Sequence, residues 1–224
     1  MKTKAKGAST PAQNLLQFRL LKYALDEYNI DIERLNPEVD HRNGIVNLNG
    51  VKVGIKYPTA YLNHIKKLNQ TIIYDYCFVG HFESFGREES LKPFLNRNSY
   101  IKHSEVGRQK EKYDFDTNYY QIMCNSKFGL VPNHTSPTKP KKWQHPNAWS
   151  YRFIETIISN AVPVLFRESP LGENWISGFK FLWNDSDFTL TNDEYNNILT
   201  HNTNLVLDRF FITESELLQI KSTL

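Results

Sequence analysis

The chain has 224 residues, of which 40% are hydrophobic and 13% aromatic, with a formal net charge of +3. That supplies a core for one full domain plus a smaller piece, or for two small ones, and excludes wholesale disorder, collagen-like repeats and Pro-rich linkers. No apolar run approaches the roughly 20 residues that cross a bilayer, and so mild a positive charge does not by itself imply nucleic acid.

Residues 1–10, with Lys2, Lys4 and Lys6, read as a disordered basic arm without the apolar stretch of a secretory signal. A cytoplasmic location is expected, with peripheral attachment at a membrane as the alternative. Pro11 then opens a helix whose apolar stripe, Leu15, Phe18, Leu21, Leu25 and Tyr28, runs to about Asn29. Asn49-Gly50 stands between alternating apolar residues over 45–55. A tight primed turn needs positive φ there, which Asn and Gly tolerate, so a hairpin is predicted. Pro58 opens a short helix to about Leu68.

From residue 71 strands and helices alternate. Strands are expected at 71–80, 99–103, 127–132, 162–166 and 179–183. Helices are expected at 87–95, 117–125, 150–159, 172–177, 193–202 and 214–223. This alternation implies parallel strands joined by helical crossovers. The fold class is therefore α/β: a Rossmann-type doubly wound domain over 71–224, preceded by a reduced α+β region over 1–70. Such sheets bind ligands beyond the carboxyl ends of their strands, where strand order reverses. Cys77 and Cys124 lie in apolar contexts without metal spacing and are expected as reduced core residues.

The chemistry points to the end of one helix. Ser150 stands where the helix over 150–159 begins, and its hydroxyl and the free N–H groups of the first turn can hold an anion. Arg152 adds a planar donor suited to phosphate. Glu155, three residues on, can accept both hydroxyls of a ribose or pair with Arg152 on the helix surface. Tyr151, Trp149, Trp143 and His134 either stack on a base or sugar or shield the adjoining Pro-rich loop over 133–149. Lys139, Lys141 and Lys142 either approach phosphate or solubilise that loop.

The segment from Ser126, Lys127, Phe128, Leu130 and Pro132 through Ser150, Arg152, Glu155, Pro163 and Val164 resembles the donor-binding region of exostosin-like glycosyltransferases. Tyr120, Met123, Phe78-Val79-Gly80, Arg87 and Leu91 extend the resemblance over about residues 71–185. Departures are Gly129 in place of cysteine, Thr156 in place of alanine, and Asn160-Ala161 in place of Gly-Cys. The resemblance implies a GT-B-like enzyme whose C-terminal domain holds a nucleotide sugar, usually a UDP-sugar, without an obligatory metal. It implies transfer to a glycan or glycoconjugate acceptor with inversion. Arg152, Ser150, Pro132, Tyr151 and Arg87 would line the donor, and Glu155 would hold the ribose. The catalytic base would come from His81 or Glu83 beyond the strand end, or from Asp40 or His41.

Two other readings stand beside this one. A fucosyltransferase-type enzyme using a GDP-sugar has a comparable region, but its Tyr-x-Thr-Glu-Lys string is only partly echoed at residues 151–155. A non-catalytic nucleotide- or sugar-binding module is suggested by the short region over 1–70. No aromatic–basic motif of an RNA-binding sheet occurs, so no nucleic-acid partner is expected.

Overall fold

The computed structural model describes residues 4–6, 8, 11–82, 87–104, 111–133 and 148–224. It divides the chain into two units: residues 1–64, 110–115 and 206–224 form the first, and residues 65–109 and 116–205 the second. The C-terminal residues and a short internal segment thus belong to the first unit, where the sequence reading has 71–224 as one domain.

In the first unit, β1 (Lys4–Lys6) runs parallel to β2 (Glu38–Asp40), which pairs antiparallel with β3 (Ile45–Leu48) and through it with β4 (Val51–Val53). The expected disordered arm is therefore corrected at residues 4–6, whose backbone groups are paired in a ladder. The Asn-Gly hairpin forms as expected: Leu48 faces Val51, Asn49 and Gly50 both take positive φ (48° and 98°), and Asn47 Oδ1 accepts from the Gly50 amide. Helix α1 (Leu16–Asp26) places Phe18, Leu21 and Leu25 on Val39, Val46, Leu48 and Val53 of the sheet. Helix α2 (Thr59–Ile65) begins at Thr59 and Ala60, whose amides donate to the Glu27 carboxylate.

The second unit is built on β5 (Tyr74–Gly80), α3 (Arg87–Leu95), β6 (Ser99–His103), α4 (Thr117–Cys124), β7 (Ser126–Val131), α5 (Tyr151–Ile158), β8 (Val162–Leu165), α6 (Glu173–Ile176), β9 (Leu182–Trp183) and α7 (Asn192–Phe210). Among the described residues its sheet has five parallel strands in the order β6-β5-β7-β8-β9. Numbered within the unit this is 2-1-3-4-5, a doubly wound order that reverses between β5 and β7. Alternation then sorts the side chains. Tyr76, Phe78, Phe128, Leu130, Val162 and Val164 make one face with Leu91 and Phe94 of α3. Gly129 lies on the opposite face, under Thr156 of α5. Cys77 and Cys124 are free and buried, and burial pushes the Cys77 thiol up to about 11.

Helix α7 is longer than the expected 193–202, and its last turn belongs to the first unit. There Lys56, 2% exposed, donates to the carbonyls of Arg209 and Phe211 at 3.0 Å each and pairs with Glu216 at 2.7 Å. Glu216 also completes the capping box that starts α8 (Glu214–Lys221), whose Ile220 is fully buried in the α1–sheet core. One buried ammonium thus holds the carbonyl end of α7 and the carboxylate that starts α8. Lys56→Ala is expected to lower stability by about 3 kcal/mol, read as an earlier urea-unfolding midpoint, because it leaves buried acceptors unpaired.

Candidate functional site

The reversal of strand order puts the carboxyl ends of β5 and β7 side by side, and α5 begins at the same edge of the sheet. Ser150 is the N-cap of α5 in extended conformation, and its side chain makes no capping bond. Two residues into the helix, Arg152 reaches β5, where Nη2 donates to the Val79 carbonyl and the guanidinium lies 4.2 Å from the centre of the Phe78 ring. This approach needs glycine at position 80, because a Cβ there would stand 2.6 Å from Arg152 Nη2.

Arg87, the first residue of α3, comes to the same place from the other side. Its Nη1 donates to the His81 carbonyl at 2.8 Å, and its guanidinium lies 5.5 Å from the Phe78 ring centre. Arg87 is 4% exposed, and its buried Nε has no hydrogen-bond partner among the described residues. Burial, helped by the neighbouring charge of Arg152, lowers Arg87 to about 10, which leaves it protonated at neutral pH. Neither arginine pairs with a carboxylate among the described residues. Two like charges therefore converge on one aromatic ring at a strand end, held by carbonyl oxygens. An anion with several oxygens is what such a pair is built to accept.

Glu155 has a different setting from the expected ribose contact. It is 2% exposed, and its carboxylate accepts from the Tyr119 hydroxyl at 2.8 Å and the Tyr120 hydroxyl at 3.2 Å. It ties α5 to α4 inside the protein, and the Arg152 guanidinium turns to Val79 instead of pairing with it. Glu155→Ala is expected to cost about 2 kcal/mol in thermal or urea unfolding, since two buried hydroxyls lose their acceptor.

The structure distributes the other expected residues more widely. His81 is exposed just beyond β5, with its ring centre 6.1 Å from that of His103. Pro132 is buried directly after β7. Tyr151 meets Trp149 edge to face at 4.7 Å, and Trp149 stacks on Trp175 of α6 at 5.7 Å. Glu83, His134, Trp143, Lys139, Lys141 and Lys142 lie outside the described residues. Asp40 and His41 belong to the first unit. Burial works to raise the Asp40 carboxyl, but hydrogen bonds from Asn43 outweigh it and hold the group below its ordinary value. Burial lowers the His41 imidazole. Sequence reasoning missed Phe78 as the ring shared by both arginines, the tyrosines on Glu155 and the role of Trp175. Phe78 and Tyr120 stand within the matched motif, but nothing in their spacing marks these contacts.

Gly129 of β7 and Thr156 of α5 face each other. A Cβ at Gly129 would overlap the side chain of Thr156, which is fully buried. Gly129→Ala is expected to destabilise by about 1–3 kcal/mol through overpacking. Adding Thr156→Ala should recover most of that loss in a double-mutant cycle read by urea unfolding.

Among the described residues no cluster of three or more His, Cys, Asp or Glu side chains is placed to hold a metal ion, and no helix is long and apolar enough to cross a membrane. No family model matches the chain, and no curated protein matches it.

Proposed function

We propose that the second unit binds the diphosphate of a nucleotide sugar, a UDP-sugar first, and that the protein is a GT-B-like glycosyltransferase acting on a glycan or other hydroxyl acceptor. The observation that carries this reading is the pair of guanidiniums, Arg87 and Arg152, without a carboxylate partner among the described residues, at the carboxyl end of β5 beside the strand-order reversal. The resemblance of residues 126–164 to an exostosin-like donor region supports it independently.

In this reading Arg152 and Arg87 bracket the diphosphate. The first-turn N–H groups of α5 and the Ser150 hydroxyl, free of capping duty, add neutral donors. Inverting transfer has the acceptor oxygen attack the anomeric carbon while the bond to the β-phosphate oxygen breaks. Negative charge grows on the departing nucleotide, and the two arginines are placed to stabilise it more in the transition state than in the bound donor. The acceptor hydroxyl loses its proton to a base, for which exposed His81 is the candidate among the described residues of the second unit. Glu155 ties α5, which carries Arg152, to the tyrosines of α4. It would serve a ribose only after leaving its tyrosines.

A panel of UDP-, GDP- and other nucleotide sugars, read by thermal shift and by release of free nucleotide, tests the proposal. UDP is expected to raise Tm, with slow hydrolysis of one UDP-sugar. Arg152→Ala is expected to weaken UDP binding by about tenfold or more, the worth of a charge-assisted bond to phosphate. Binding of UDP without turnover over any acceptor would favour a binding module, and binding of GDP alone a fucosyltransferase-type donor. If no nucleotide binds, the reading is wrong.

A further inference from the structure

Parallel strands β5 and β6 end together, with Gly80 opposite His103. The backbone ladder makes one more bond, from the Ser104 amide to the Gly80 carbonyl at 3.1 Å. Beyond it a side chain takes over: the Phe82 amide donates to Nδ1 of His103 at 3.1 Å. A backbone amide only donates, so Nδ1 carries the lone pair and the ring proton sits on Nε2. The Phe82 ring packs edge to face on the same imidazole at 5.1 Å.

The amide of Phe82 and the carbonyl of His81 are two ends of one planar peptide unit. Fixing the N–H fixes the direction of the C=O. That carbonyl is the acceptor for Arg87 Nη1, at 2.8 Å. His103 and Arg87 therefore grip opposite edges of one peptide plane, and the plane anchors a buried guanidinium that has no carboxylate partner among the described residues.

We propose that His103 is a positioning residue for the anion site: through the His81–Phe82 peptide it sets the direction of Arg87. This rests on the phosphate reading of the Arg87–Arg152 pair. His103 acts on Arg87 through that peptide rather than by a bond of its own, and nothing in its place on an edge strand marks it from sequence.

The test uses full-length His103→Phe and His103→Asn. Phenylalanine keeps the ring and removes the acceptor. Asparagine removes the ring but keeps an oxygen acceptor at the same covalent distance from the backbone as Nδ1. Two readouts are taken: amide hydrogen exchange at Phe82, and Kd for UDP and for inorganic pyrophosphate by calorimetry, with Arg87→Ala as reference. His103→Phe is expected to speed Phe82 exchange and to weaken binding by about five- to tenfold, the worth of one hydrogen bond. His103→Asn is expected to stay close to the wild type in both. The proposal is overturned if His103→Phe binds like the wild type while Arg87→Ala does not, or if asparagine rescues no better than phenylalanine. Wild-type protein that binds neither UDP nor pyrophosphate removes the anion site itself, and the role of His103 with it. That result is read before any variant, which keeps the two failures apart.

Discussion

Helix α5 seats closely on β7 because a side chain is missing beneath Thr156, and the tip of Arg152 comes close to β5 because one is missing at Gly80. Arg152 and Thr156 stand four residues apart, on one face of the helix. Each sits over a glycine: Arg152 over Gly80 at the end of β5, Thr156 over Gly129 in the middle of β7. A Cβ at either glycine would have to displace the helix or the side chain above it. This close seat allows a guanidinium from the helix after β7 to bond a carbonyl of β5, across the point where strand order reverses. The buried Glu155, gripped by Tyr119 and Tyr120 of α4, locks the helix in rotation.

The consequence of that seat is electrostatic. Arg152 is brought close enough to Arg87 for its charge to add to burial in lowering Arg87 to about 10. Proteins seldom leave a buried cation, here Arg87, facing a second one, the half-buried Arg152, without an acid. Here the carbonyls of Val79 and His81 and the face of Phe78 hold them apart from any counter-charge among the described residues. Two cations so arranged attract an anion, which is why the pair carries the proposed function.

Local pattern carried far in the sequence. The alternation of strands and helices, the Asn49-Gly50 hairpin and the start of α5 at Ser150 all follow from periodicity and turn chemistry, which act over a few residues. The same logic missed the pairing of residues 4–6 with β2, because three residues of Lys-Ala-Lys have no strand signature and gain order only from a partner more than thirty positions away. It also missed the return of α8 to the first unit, which depends on buried Lys56 and Ile220 rather than on any periodic feature of α8.

The site divides in the same way. Sequence by itself determined that a basic residue follows a helix start at Ser150, that a glycine ends β5, and that a second arginine opens the next helix. These are matters of spacing along the chain. Only the tertiary structure decided that the two arginines share Phe78, that Glu155 faces inward to two tyrosines, and that His103 holds the peptide to which Arg87 is bonded. Each of those depends on which strands are neighbours and how closely a helix can approach them. That is set by packing between segments distant in sequence, and no local period encodes it.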